Sequence, residues 1–234
     1  FMGRCSFGRP CLDQPQLCAQ LLLASALGCT RLELYVRFEA VPSPEEVAAF
    51  RDLVRRAAGG EPIAHLVGHK EFFSLDFAVT SDVLIPRPET ESLVEAVLEI
   101  VRTRPTPVDR ILDLCTGSGC VAAALAHQLA DVRVVATDVS PEALAVAREN
   151  IERLGLSERV TLCQGDLYDA LPDETQAFPM IVGNPPYVKT SNLEGISADV
   201  AKHEPRIALD GGGDGLEVIR RIVGEGPRYL AAGG

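Results

Sequence analysis

Residues 110–120 read Arg-Ile-Leu-Asp-Leu-Cys-Thr-Gly-Ser-Gly-Cys, "RILDLCTGSGC", and an Ala-rich segment follows. A short apolar run that ends in a Gly-x-Gly turn and passes into a helix is the opening of an α/β unit. Gly117 and Gly119 permit a tight turn, and the free N–H groups at the helix start favour an anionic or polar ligand. Nineteen residues after Gly119, Asp138 closes a second apolar run, "VRVVATD". An acid at that point accepts hydrogen bonds from both hydroxyls of a ribose. A helix is predicted from Ser140-Pro141 to Gly155, and "RVTLCQGD" and "FPMIVGN" are two further apolar runs with polar ends. Four strands joined by helical crossovers predict a Rossmann-like α/β domain whose parallel sheet carries ligands at the carboxyl ends of its strands.

The fourth run does not end as the others do. Gly183-Asn184-Pro185-Pro186-Tyr187 follows Met180-Ile181-Val182. Two prolines in succession remove two backbone donors and fix two φ angles, so the strand must stop in a stiff elbow. A chance Pro-Pro loop is the bland explanation. The alternative is a clamp for a planar NH₂ group. The Asn184 side-chain carbonyl and the Pro185 backbone carbonyl accept its two hydrogens, while Tyr187 stacks on its face. An amide nitrogen is a poor nucleophile, because its lone pair is delocalised. Accepting its hydrogens returns electron density to nitrogen, so catalysis rests on positioning and electrostatics. No histidine is near this motif, so a classical general base is not implied, and His65, His69, His127 and His203 are expected in packing or surface roles.

The cofactor is less sharply specified. The glycines together with Ala122 also fit a dinucleotide pattern, which keeps NAD in view. Two features favour S-adenosylmethionine, with its sulfonium and ammonium groups. Asp113 just before the glycines would oppose a pyrophosphate but suits a cation, and no hydride-transfer partner follows downstream. Asp166, at the end of the third run, is placed to accept from an adenine amino group, with Leu167 against the ring. A solvated loop aspartate would fit Asp166 equally well on local grounds.

Upstream, residues 1–68 read as a small helical domain. Leu17, Leu21 and Leu22 start an apolar helix that stops at Gly28. Ser43, Pro44 and Glu46 form an N-terminal capping box, and Gly59-Gly60 ends that second helix. Phe73, Leu75, Phe77 and Val79 alternate with smaller or polar residues, the period of a half-exposed strand. A Pro-rich entry at Leu84–Glu91 leads into Leu93, Val94, Val97, Leu98 and Val101 at helical spacing. Gly211-Gly212-Gly213 is expected to form a mobile turn.

The net charge of −11 and pI of about 4.9 oppose non-specific nucleic-acid binding, which needs Lys and Arg. Seven cysteines without a Cys-x-x-Cys pair fit a reduced, cytoplasmic protein better than a zinc site or disulfide framework, and metal ligation is not expected. No apolar stretch reaches membrane-spanning length.

"DLCTGSGC", "ATDVSPEAL" and "VGNPPYV" resemble motifs of class I S-adenosylmethionine-dependent N-methyltransferases with an Asn-Pro-Pro-Tyr signature. More narrowly, residues 60–91, with "LIPRPETE", and 203–222, "HEPRIALDGGGDGLEVIRRI", resemble the peptide chain release factor glutamine methyltransferases of the HemK/PrmC type. The resemblance implies a helical substrate-recognition domain (1–68), a β-hairpin linker (69–86) and a methyltransferase domain (87–234) whose last strands lie beyond "YLAAGG". It implies N5-methylation of the glutamine in the Gly-Gly-Gln loop of release factors, with S-adenosylmethionine as cofactor and S-adenosylhomocysteine as product. Cofactor contacts carry over to Asp113, Cys115, Thr116, Gly117, Ser118, Gly119, Asp138, Asp166, Leu167 and Asn184. The glutamine falls to Asn184, Pro185, Pro186 and Tyr187, with Asn184, Pro185 and Tyr187 catalytic.

Cys115 stands where many members carry glycine. Phe72 and Phe73 are candidates for the cofactor pocket, with hairpin packing the simpler role. Arg87 and Glu89 either order the substrate loop or pair with each other. A release factor is the expected partner, with neither nucleic acid nor membrane, and a monomer is expected. A ribosomal-protein glutamine, a DNA adenine and an inactive adapter are the competing expectations. The acidic charge opposes the DNA reading, and the intact elbow opposes the adapter.

Overall fold

The computed structural model describes residues 14–36, 39–172, 177–195 and 202–234. Cys5 and Cys11 lie outside them. The described residues separate into two compact units, one of 14–36, 39–69, 194–195 and 202–203, the other of 70–172, 177–193 and 204–234.

The first unit is helical: α1 (Pro15–Ala26), α2 (Arg31–Val36), α3 (Pro44–Ala58) and α4 (Ile63–Val67). The capping box at Ser43 forms as its residues require. The Glu46 N–H donates to Ser43 Oγ at 3.2 Å, and the Ser43 N–H donates to Glu46 Oε2 at 2.6 Å. Such a cap contributes about 1 kcal/mol. Cys18, Leu22 and Ala24 of α1 and Leu66 of α4 are its buried apolar residues.

The second unit opens in a hairpin, β1 (His69–Phe72, of which residues 70–72 belong to this unit) and β2 (Leu75–Ala78). The expected strand through Phe73 is corrected here. Phe73 and Ser74 form the turn, at φ 50° and 60°, because both central residues of such a two-residue hairpin turn must adopt positive φ. Phe72 and Phe77 instead bury in the core in edge-to-face contact, with centroids 6.1 Å apart. Helix α5 (Pro88–Thr103) then buries Val94, Val97 and Leu98, one face of the predicted apolar stripe.

All four predicted strands form and pair in parallel: β3 (Arg110–Leu114), β4 (Arg133–Asp138), β5 (Val160–Gln164) and β6 (Met180–Gly183), in the order β5-β4-β3-β6. Their crossovers include α6 (Cys120–Gln128) after β3 and α7 (Pro141–Arg153) after β4, and α8 (Glu217–Glu225) follows β6 in the chain. The chain starts in the middle of the sheet, moves outward through β4 and β5, then returns to the other side of β3. The reversal between β3 and β6 is the point where such sheets bind ligands.

One wholly buried polar residue ties three parts of this unit together. Asn150 on α7 accepts the Ala78 N–H at 2.7 Å, and its amide nitrogen donates to Ala78 O at 3.1 Å and Ser118 O at 2.9 Å. A buried amide with partners on both ends fixes the hairpin, the helix and the glycine turn in one arrangement.

Candidate active site

The register sets the site. Leu114 of β3 lies opposite Thr137 on one side and Gly183 on the other. The turn that follows β3 and the elbow that follows β6 therefore leave the sheet side by side. Gly183 is required at that point, because a Cβ there would sit 2.7 Å from Leu114 O.

The glycine turn is held from within. Thr116 Oγ1 donates to Asp113 Oδ2 at 2.6 Å, the Gly117 N–H donates to Asp138 Oδ2 at 2.8 Å, and the Ser140 N–H donates to Asp138 Oδ1 at 3.0 Å. Asp138 thus braces the turn through one carboxylate oxygen and the start of α7 through the other. Asp113 is buried, which pushes its carboxyl up to about 7 despite the Thr116 hydrogen bond, and the Asp138 charge adds to the shift. Cys115 has φ 60°, which explains the glycine expected at that position. Its thiol is pushed up to about 12, first by burial and then by the carboxylates of Asp138, Asp113 and Asp166, so it is not a thiolate nucleophile.

The elbow is held from without. The Asn184 amide nitrogen donates to Thr90 Oγ1, on the first turn of α5, at 3.3 Å. The Val188 N–H donates to Leu209 O at 2.9 Å, and the Gly211 N–H donates to Val188 O at 2.8 Å. A Cβ on Gly211 would lie 2.7 Å from Tyr187 Cα, and one on Gly215 would lie 2.5 Å from Tyr187 O. Gly211 and Gly215 permit backbone-to-backbone approach to Pro186 and Tyr187, while Gly212 and Gly213 face the Glu217 side chain.

The two segments share a cavity of about 280 Å³. Asp113, Cys115, Thr116, Gly117, Ser118, Asp138, Asp166, Leu167, Asn184 and Pro186 line it. Gly119, Pro185 and Tyr187 are not among its lining residues. Gly119 caps α6 at φ 78° and faces Ala147, and Tyr187 is 51% exposed. Phe72 and Phe73 are also absent from the lining, Phe72 being buried in the core and Phe73 packed against it.

Several lining residues escaped the sequence reading: Leu84, Pro86, Thr90, Thr137, Pro205 and Arg221 among them. Arg221 pairs with both oxygens of Asp166, at 3.1 and 2.9 Å, and the Asp166 side chain, at the cavity edge, stays 52% exposed. Arg87 pairs with Glu204 at 2.5 Å rather than with Glu89, which corrects one of the two alternatives for Arg87 and Glu89. Burial raises the Glu204 carboxyl, and the guanidinium opposes that shift. The signal for these partners was present in "HEPRIALD" and "LEVIRRI", but their distance along the chain hid the pairing.

Five aspartates (Asp82, Asp113, Asp138, Asp166, Asp210) and two arginines (Arg87, Arg221) line the cavity, and both arginines already pair with carboxylates. That surplus suits a ligand with cationic groups and opposes a pyrophosphate. The buried Thr137 hydroxyl on the cavity wall has no protein partner among the described residues.

Among the described residues no helix is long and apolar enough to cross a membrane. Residues 9–68 match the PrmC N-terminal domain, and residues 92–225 match the methyltransferase small domain. The release factor glutamine methyltransferase of Rhodopirellula baltica is 47% identical over 227 residues, 95% of this chain and 75% of that protein. That of Geobacter sulfurreducens is 47% identical over 223 residues, 95% of this chain and 76% of that protein. In architecture, the hMettl16 catalytic domain solved with the MAT2A 3'UTR hairpin 6 superposes with a TM-score of 0.52 at 20% identity, covering 67% of this chain and 58% of that one. At that identity the likeness is one of fold. With two domain matches in series and near half its residues shared with curated relatives along almost its whole length, the chain belongs to the release factor glutamine methyltransferases, S-adenosylmethionine-dependent enzymes.

Proposed function

We propose that this protein transfers a methyl group to the side-chain amide nitrogen of the glutamine in the Gly-Gly-Gln loop of a peptide chain release factor. The observation that carries this reading is the Asn184 elbow, set beside the glycine turn at the β3–β6 reversal and sharing one acidic cavity with it. The helical unit is the natural surface for recognising the release factor.

When bound, S-adenosylmethionine supplies an electrophilic methyl on a sulfonium. The residues present fit it. Asp138 keeps lone pairs for a ribose, the surplus of aspartates suits the cationic groups, and Leu167 offers an apolar edge to a base. Asp166 takes the base amino group by sharing its carboxylate with Arg221.

On the acceptor side, Asn184 Oδ1 and the Pro185 carbonyl accept the two amide hydrogens and hold the nitrogen lone pair in line with the methyl. Tyr187, half exposed, is free to close over the planar group. One amide proton must leave as the new N–C bond forms. The methyl's bond to sulfur breaks in the same step, and the carbonyls, too weakly basic to keep the proton, release it to solvent; no histidine lines the cavity among the described residues to take it. Fixed acceptors of this kind cost no reorganisation during the reaction. A DNA adenine offers a similar NH₂, but the net charge of −11 opposes binding to a polyanion.

The test uses labelled S-adenosylmethionine and a release factor with or without its Gly-Gly-Gln glutamine changed to alanine. Label on the parent release factor and none on the variant supports the proposal. Equal label on both overturns it.

A further inference from the structure

Asn184 has two chemically different ends, and only one of them accepts hydrogens. A side-chain amide turned by half a rotation would present its NH₂ to the substrate NH₂, donor against donor. Something must therefore select the rotamer. The prolines that follow constrain the backbone, but they do not touch this torsion.

We infer that Thr90 is the positioning residue that selects it. Thr90 lies on the first turn of α5, lines the same cavity, and its Oγ1 accepts from the Asn184 amide nitrogen at 3.3 Å. With the nitrogen so engaged, Oδ1 is the end left for the substrate. Thr90 itself stands on a pinned turn. Its N–H donates to Arg87 O at 3.0 Å, and Arg87 is anchored by Glu204, whose side chain is 1% exposed. Glu91, the next residue, accepts the Phe73 N–H at 2.8 Å and ties the same turn to the hairpin. Residues 87–91 are thus a brace for the elbow, reached from a part of the chain 94 residues away.

This inference rests on the proposed role of Asn184, so its test has an arm that needs no substrate. Thr90→Val keeps the shape and removes the acceptor; Thr90→Ser restores it. Turnover on the release factor should fall about 10- to 100-fold in Thr90→Val, the scale of a displaced catalytic group. S-adenosylmethionine affinity should stay within about twofold by calorimetry, and Thr90→Ser should recover most of the turnover. In asparagine-labelled protein, with Asn184→Ala serving to assign the signal, the Asn184 side-chain NH₂ protons should exchange with water severalfold faster in Thr90→Val than in the parent or in Thr90→Ser. Unchanged exchange in Thr90→Val overturns the inference, as does turnover that Thr90→Ser fails to recover. If the parent does not methylate the release factor at all, the proposed function fails, and the exchange measurement still decides whether Thr90 holds the amide.

Discussion

The turn after β3 and the elbow after β6 leave the sheet as neighbours and line one cavity, yet they are stabilised by opposite means. The glycine turn is locked within the sheet and its crossovers: Thr116 on Asp113, Asp138 of the adjoining strand on Gly117, and Asn150 of α7 on Ser118 O. The elbow is locked by groups outside the sheet: Thr90 of α5 on Asn184, and Leu209, Gly211 and Gly215 of the segment before α8 on Val188 and Tyr187. A loop braced by the sheet itself forms with its strands and serves as a fixed cofactor cradle. One braced from outside the sheet is correct only when the whole unit is folded, which suits the segment that must hold reacting atoms to within fractions of an ångström.

If this division holds, damage to each brace should separate binding from turnover. The largest effect is expected from Gly215→Ala. Its Cβ would meet Tyr187 O at 2.5 Å, at a φ of +81° that disfavours any side chain. Turnover should fall by about 100-fold or more, the cost of roughly an ångström of displacement, while cofactor affinity changes little. Comparable losses of both would show that the elbow is not a separate element. Asp138→Ala strikes the other region. Losing the brace and the ribose acceptor together should weaken cofactor binding by about 10- to 100-fold in calorimetry, corresponding to about 1.4–2.8 kcal/mol. An unchanged affinity would remove Asp138 from the cofactor site.

The third effect depends on pH. The Asp113 carboxyl is raised from 3.8 to about 7 by burial. A raised carboxyl favours the fold while protonated, so this contribution is complete below pH 3.8 and is lost as pH rises through about 7. The ligand-free protein should therefore melt at lower temperature at pH 8 than at pH 5, and Asp113→Asn should flatten that slope. Affinity for the cationic cofactor should run the other way, rising severalfold across the same window in the parent and not in Asp113→Asn. The smallest effect is expected at Cys115, where φ is 60°. Cys115→Gly relieves that backbone and should stabilise by about 1 kcal/mol, raising the melting temperature by about 2–4 °C. A fall in melting temperature would mean that the half-buried thiol contributes more by packing than its backbone costs.

The same contrast explains what could be read from the residues in order. "RILDLCTGSGC" and "VRVVATD" carry their own period, turn glycines and acid, so the parallel sheet and the glycine turn were legible from the residues alone. The capping box at Ser43 was legible for the same reason, since its partners are three residues apart. The hairpin was misread at Phe73 because alternation continues through a two-residue turn, and only the positive φ at 73 and 74 marks it. Thr90, Asn150, Glu204 and Arg221 were invisible as partners, because each acts on residues dozens of positions away. Gly211 looked like looseness and Gly215 drew no notice, since glycine in a sequence does not distinguish freedom from close approach.

The measurement that tests the account most directly is Asn184→Ala, read by calorimetry for S-adenosylmethionine and by single turnover on a release factor. The clamp predicts cofactor affinity within about tenfold of the parent and a methyl-transfer rate lower by about 100-fold or more. Transfer within a few-fold of the parent would contradict it, because the acceptor that orients the glutamine nitrogen would then be dispensable.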